Sequence, residues 1–269
     1  MAGLDAELER LIEPLRAEPA RAAVFCDVDG TLAPIVDRTE DAEVPAPTRE
    51  ALDELTRRYA LVGFVSGRRV ADAIRLVGVE RAAYIGNHGF ERTEAAWAAI
   101  ELDPAVSQHA LRAGALVRGW DRRELEQLGM RLEDKGPIWA IHWRGAADEV
   151  AAEAKARELA AQAEQRGLVP RSGRKVLEVW PPVKIDKGVA VERLLSEHPE
   201  VSRVLYVGDD RTDADACARL EALRAGGRLE VAVRVAVASS EQPEELRAAT
   251  NAEVDGPEGV LGLLRALTP

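Results

Sequence analysis

The sequence predicts an α/β protein: a doubly wound core on a parallel sheet, carrying a second, smaller α/β domain inserted within it. Three observations lead there. Short, nearly continuous apolar runs recur along the chain, the pattern of strands buried on both faces. Amphipathic helical stretches alternate with them, as crossover helices between parallel strands do. The middle of the chain breaks this rhythm, with shorter strands, a Gly-Pro turn and a long Ala/Glu-rich stretch.

The elements follow in order. The first fifteen residues are acidic and amphipathic, with Leu8, Leu11, Ile12 and Leu15 at helical spacing. Residues 22–27 (AAVFCD) form the first strong strand and run straight into a Gly-containing turn. Residues 48–59 read as a helix, 60–66 and 82–85 as strands. Residues 104–128 read as one or two helices, and 131–135 and 138–144 as strands around Gly136-Pro137. Residues 146–165 are a long helix that Gly167 is placed to cap, with a short strand near 168–172. Val176–Trp180 (VLEVW) is expected to return to the large sheet. Helix Lys187–Glu197 and strands at 204–207 and Val231–Ala238 complete it. The expected division is 1–102 with 175–269 as the core and 103–174 as the insertion.

Composition narrows the function. The chain has 269 residues and a net charge of −11, with a pI near 5.1. A nucleic-acid binder needs a basic face, and an anionic membrane surface is disfavoured for the same reason, so neither is expected as a partner. No apolar stretch is long enough to span a membrane, and the acidic start lacks the basic and apolar parts of a secretory signal. The expected compartment is the cytoplasm. Cys26 and Cys217 are far apart and outside any CxxC pattern, consistent with two buried, reduced thiols.

Four segments carry chemistry. In FCDVDGTLAPI, Asp27 and Asp29 stand at the carboxyl end of a strand, where open α/β sheets place their sites, and Gly30 permits a tight turn. Asp27 can attack as a nucleophile, and Asp29 can serve as general acid and base. In VSGR, Ser66 and the backbone around Gly67 can hold a phosphoryl oxygen; Arg68 belongs to the same binding group. In IDKG, Lys187 can neutralise an anion. In YVGDDRTDADA, Asp209, Asp210 and Asp213 follow a strand in one turn. Crowded carboxylates repel unless a cation joins them, and an all-oxygen set favours Mg²⁺. The plainer role for this turn is a helix N-cap by Thr212 or Asp213. His109 and His198 have no companions.

With these residues and YIGNHGFE, LEDKG, HWR, LEVWP and GDDRTDADA in view, the chain resembles the haloacid dehalogenase superfamily of phosphohydrolases, and within it the trehalose-6-phosphate phosphatases. The resemblance spans about residues 24–217. It implies a Rossmann-like core with a mobile cap that closes over a sugar phosphate, with Mg²⁺ as cofactor. Asp27 would be the nucleophile and Asp29 the acid/base. Asp27, the backbone carbonyl of Asp29, and Asp209 would bind the metal, supported by Asp210 and Asp213. Ser66 and Lys187 would hold phosphate. Glu133, Lys135 and Arg144 would reach sugar hydroxyls, with His88 and Glu178 nearby. The chain departs from the family pattern at Ala214, where an acid is usual, and at Cys217, where Phe is usual. The expected reaction is magnesium-dependent hydrolysis of trehalose 6-phosphate through an aspartyl-phosphate. Another disaccharide or glycosyl-glycerate phosphate is the alternative substrate, and a catalytically silent sensor is disfavoured by the intact aspartates. A synthase partner is left open.

Overall fold

The computed structural model describes residues 5–36, 41–239 and 242–268. Residues 1–4, the start of the expected amphipathic helix, lie outside them. The chain runs α1 (Ala6–Ala17), β1 (Ala22–Cys26), α2 (Ala46–Arg58), β2 (Leu61–Val65), α3 (Val70–Val77), β3 (Ala83–Gly86), β4 (Glu91–Thr93) and β5 (Glu101–Leu102). It continues α4 (Pro104–Arg118), α5 (Arg122–Gln127), β6 (Arg131–Asp134), β7 (Trp139–His142), α6 (Glu149–Gln165), β8 (Val169–Gly173) and β9 (Val176–Trp180). It closes with α7 (Lys187–Glu197), β10 (Arg203–Gly208), α8 (Arg211–Ala225), β11 (Val231–Ala238), α9 (Glu244–Ala249), β12 (Ala252–Asp255) and α10 (Gly256–Ala266). None of the described helices is long and apolar enough to cross a membrane.

Two compact units divide the chain, residues 1–101 with 185–269, and residues 102–184. Among the described residues the large sheet has the order β12-β11-β10-β1-β2-β3-β4-β5. Strands β12 through β3 are parallel, and β4 is antiparallel to β3. Strand β1 shows why its sequence is apolar throughout. Val24 and Cys26 face one core with α1, α2, α3 and α10, while Ala23 and Phe25 face another with α7 and α8. Both faces are covered, so every position of the strand is buried.

The second unit holds a four-stranded antiparallel sheet, β6-β7-β9-β8. One face packs Trp139, Ile141, Leu177 and Val179 against Ala152, Ala156, Leu159 and Ala163 of α6 and Ala113 and Val117 of α4. Helix α6 ends in a Schellman motif. Gly167, at φ +68°, donates to the Glu164 carbonyl, and Leu168 donates to that of Ala163.

Val176–Trp180 corrects the sequence reading. It does not join the large sheet but lies between β7 and β8, antiparallel to both. The reason is its alternation: Leu177 and Val179 face the helices while Glu178 faces away, which suits a sheet covered on one side. The second unit accordingly runs to Lys184, beyond the 103–174 span expected.

Candidate active site

Asp27 immediately follows β1, and its amide donates to the Val207 carbonyl at 2.8 Å. This bond continues the β1–β10 ladder past the strand end, so the carboxylate stands at the carboxyl edge of the sheet. The turn that follows depends on Gly30, at φ +81°. A Cβ there would lie 2.0 Å from Asp209 Oδ2, so no other residue lets the two loops approach this closely. Thr31 Oγ1 donates to Asp209 Oδ1 at 3.3 Å, a second tie between them.

Lys187 is the first helical residue of α7 and is buried. Its ammonium donates to Asp27 Oδ1 at 2.6 Å and to Asp213 Oδ1 at 2.8 Å, and lies 3.8 Å from Asp210 Oδ1. Asp213 accepts four bonds. Tyr206 Oη and Lys187 reach Oδ1 at 2.5 and 2.8 Å, and the amides of Asp209 and Asp210 reach Oδ2 at 3.1 and 3.0 Å. The N-cap of α8 is Asp210, not Thr212 or Asp213. Asp210 accepts from the Thr212 and Asp213 amides, and Asp213 returns the bond at the third helical position, closing a capping box.

The electrostatics follow from this packing. Burial lifts the Asp27 carboxyl well above the usual carboxylate range, with Asp213 and Asp209 adding to the rise and Lys187 opposing it. Asp209 is pushed up to about 6, by burial first and then by Asp213 and Asp210. Burial works to lower the Lys187 pKa, but Asp213 and Asp27 raise it above the ordinary value. Burial also works against Asp210, yet Lys187 and the bonds from Thr212 hold it below its usual value.

Asp27, Asp209 and Asp213 place one carboxylate oxygen each within 4.8 Å of one another. The set is all oxygen and more acidic than one ammonium can balance, so its donor chemistry fits a hard cation. Asp213 is the poorest donor of the three, because both its oxygens already accept two hydrogen bonds.

The other expected residues fall into two groups. In the first unit, Arg68 grips Asp29 as a fork, Nε to Oδ2 at 2.7 Å and Nη2 to Oδ1 at 2.6 Å. Ser66 is buried and accepts from the Arg68 amide at 3.1 Å. The His88 ring lies against Gly67. In the second unit, Glu133 and Glu178 share the sheet face opposite α6, through the Glu133–Ala140–Glu178–Arg171 register. His142 Nε2 pairs with Glu133 at 2.8 Å, and Lys135 donates to Glu178 at 2.9 Å. Trp180 Nε1 also donates to Glu178, at 3.0 Å, and Arg171 stacks 3.8 Å from the Trp180 ring centroid. The His142 hydrogen bond chiefly holds the Glu133 carboxyl below its usual value. Arg144 lies exposed in the turn after β7.

Sequence reasoning missed Tyr206, Thr31, Arg171 and Glu91. Tyr206, Thr31 and Glu91 lie within motifs that were singled out, and Arg171 in the short strand near 168–172, but Tyr reads as core, and Thr, Arg and Glu read as ordinary loop or strand residues. Ala214, where the family pattern has an acid, packs partly buried against the α7–α8 core, and Cys217 is buried in it.

A family model described as trehalose-phosphatase matches residues 25–253, from the residue before Cys26 to β12. The chain belongs to the trehalose-phosphatase family. Among its relatives, the trehalose-phosphate phosphatase of Mycobacterium marinum is 34% identical over 230 residues, covering 80% of this chain and 56% of the relative. That of Mycolicibacterium paratuberculosis is 36% identical over 209 residues, covering 76% and 52%. The chain thus spans about half the length of the curated relatives it matches. Among solved structures, the C-terminal domain of the Candida albicans trehalose-6-phosphate phosphatase aligns with a TM-score of 0.71 at 22% identity, covering 98% of this chain and 97% of that one. The fold is that of the haloacid dehalogenase-type phosphatases, as expected.

Proposed function

We propose that this chain hydrolyses trehalose 6-phosphate to trehalose and inorganic phosphate, with Mg²⁺, through an aspartyl-phosphate on Asp27. The observation that carries the reading is the Asp27–Lys187–Asp213 cluster at the carboxyl edge of the sheet, with Asp29 two residues after Asp27. Family membership and the names of the Mycobacterium relatives support the substrate.

In the proposed first step an Asp27 carboxylate oxygen attacks phosphorus and the bond from phosphorus to the sugar oxygen breaks. Asp29 delivers a proton to that departing oxygen. In the second step Asp29 takes a proton from water, the water oxygen bonds to phosphorus, and the bond to Asp27 breaks. Inorganic phosphate leaves and both aspartates are restored. Lys187 orients Asp27 for attack and offsets negative charge around the phosphoryl group. Mg²⁺ would be held by Asp27, Asp209 and the backbone carbonyl of Asp29, and supplies positive charge against the phosphoryl oxygens. Asp213 and Asp210 hold this set in place through Lys187 and the amides at the start of α8. Asp29 leaves the Arg68 fork to serve the sugar oxygen, which frees Arg68 to join Ser66 and Gly67 on the phosphate. The second unit is proposed as the cap, with Glu133, Lys135, Arg144 and Glu178 binding sugar hydroxyls and His88 assisting from the first unit.

The test is phosphate release from a panel of sugar phosphates, with and without Mg²⁺. Release selective for trehalose 6-phosphate, abolished by chelator and restored by Mg²⁺, is the expected result. Magnesium-dependent release from a different glycoside phosphate discards the substrate and keeps the chemistry. No release from any member discards the enzyme reading.

A further inference from the structure

We propose that Glu91 is a positioning residue for the phosphate-holding loop Ser66-Gly67-Arg68, acting as a cap supplied in trans to the helix that follows that loop. The loop joins β2 to α3. The N-cap residue of α3, Arg69, makes no side-chain capping bond. The first helical amide, that of Val70, instead donates to Glu91 Oε2 at 2.9 Å. Glu91 is the first residue of β4, lies opposite Gly86 in the β3–β4 pair, and is buried.

A buried acid at such a position needs a reason, because burial disfavours its charge. Burial lifts the Glu91 carboxyl above its usual value, while the Val70 amide, Arg69 and the Asn87 side chain work to keep it ionised. An ionised acceptor at a helix start makes a stronger bond than a neutral one and meets the positive end of the helix dipole.

The same β3–β4 connection holds the loop by its backbone. Asn87 donates to the Arg68 carbonyl at 2.7 Å, His88 donates to the Ser66 carbonyl at 3.1 Å, and Ser66 donates to the Ile85 carbonyl at 2.9 Å. To make these bonds the chain turns through left-handed backbone at Asn87, φ +48°, and His88, φ +57°. Gly86 is what allows the approach. A Cβ there would lie 2.5 Å from the Val70 nitrogen and 2.8 Å from the Arg68 oxygen. Glu91 thus locks the far end of a clamp whose near end is Asn87 and His88. Ser66, Gly67 and Arg68 lie between the two, so their backbone is fixed before any ligand arrives. Preorganisation of this kind contributes to binding because less ordering remains to be done on association.

The inference rests on the proposed function only in taking the Ser66 loop as the phosphate holder. It is tested with inorganic phosphate as the probe, by calorimetry and as a competitive inhibitor, on the full chain. Glu91→Leu is expected to weaken phosphate binding by about tenfold, the scale of a lost charge-assisted hydrogen bond. Glu91→Gln, which keeps an acceptor for the Val70 amide, is expected to stay within about threefold of the parent. The kcat/KM of Glu91→Leu for trehalose 6-phosphate and for a small aryl phosphate should fall by the same factor, since the lost support is on the phosphate side. Val70→Pro removes the donor and sets the ring's Cδ where the N–H hydrogen pointed at Glu91 Oε2, so the acid is displaced along with the bond. Proline is accepted at the first helical position, and Arg69, at φ −61° and ψ 148°, already has the backbone that precedes proline. It should reproduce the loss.

Folded Glu91→Leu and Val70→Pro proteins that bind phosphate as tightly as the parent overturn the proposal. So does an equal loss in Glu91→Gln and Glu91→Leu, which would mean that the hydrogen bond is not what matters. Hydrogen exchange on the unaltered protein gives a measure that needs no variant. A Val70 amide exchanging as fast as an exposed loop overturns the proposal, and strong protection supports it. A parent that binds phosphate but releases none from trehalose 6-phosphate overturns the proposed function and leaves this inference standing. A parent that binds no phosphate overturns both.

Discussion

Two polar clusters, one in each unit, pair acids with bases in opposite ways. In the first unit, the side chains of Asp27, Lys187 and Asp213 are 6%, 1% and 0% exposed. In the second, Lys135 and Glu178 are 27% and 25% exposed, and His142 and Glu133 are 29% and 51% exposed. Water screens little of the first set, so each charge there depends on its partners for stability, and breaking one pair leaves a buried charge uncompensated. The second set is half-solvated, so its pairs can be exchanged for other polar partners at little cost, as the proposed sugar binding requires. A buried network suits chemistry that needs fixed geometry. A half-exposed one suits recognition that must form and dissolve in every turnover.

Asp27→Asn has the largest expected effect. Turnover should fall by about 10⁴-fold or more, the scale seen when a nucleophile is removed, while circular dichroism reports an intact fold. Full activity in that variant would remove Asp27 from the mechanism. Lys187→Met comes next and acts on stability as well. It leaves Asp27 and Asp213 without their shared cation, so denaturant unfolding in the presence of chelator should show a loss of about 3–5 kcal/mol. A loss under 1 kcal/mol would show that the buried cluster is not interdependent. Glu133→Ala has the smallest expected effect. Its stability change should stay under about 1 kcal/mol, as for an exposed pair. Its kcat/KM for trehalose 6-phosphate should fall by about tenfold, while that for a small aryl phosphate is nearly unchanged, since lost hydroxyl contacts penalise only the sugar. Equal losses on both substrates would remove Glu133 from sugar binding.

The sequence was most legible where an apolar strand ended abruptly in acid. FCDVD and YVGDD announce both a buried strand and the charged residues at its carboxyl edge, and Asp27 and Asp209 do face each other there. It was less legible where one residue serves a distant loop. Glu91 opens a strand in GFERT, where it resembles any solvated strand charge, and only the fold brings the Val70 amide to it. Tyr206 looks like core packing because its ring is core; the hydroxyl that reaches Asp213 leaves no trace in the pattern. VLEVW was misplaced because five mostly apolar residues fit a parallel strand and a one-sided antiparallel strand about equally well. Its single glutamate was the clue, and it became readable only once β7 and β8 were seen on either side. The strand β12, AEVD, is too short and too polar to stand out.

The placement of β10 next to β1 has a consequence for the order in which the protein is made. The segment bearing Asp27 is made before the second unit and can pair with β2 at once, since that contact is local, with β3 adding to the far side of β2. Its other neighbour is encoded after the whole second unit. Until that later segment arrives, one flank of β1 is an unpaired, wholly apolar edge, the kind of surface on which nascent chains aggregate or recruit chaperones. The high sequence separation of the β1–β10 pair predicts a slow, late closing step in folding. The cluster of Asp27, Lys187, Asp209 and Asp213 therefore comes together only when the fold is nearly finished, because β10 and the helix after it deliver two of its four members.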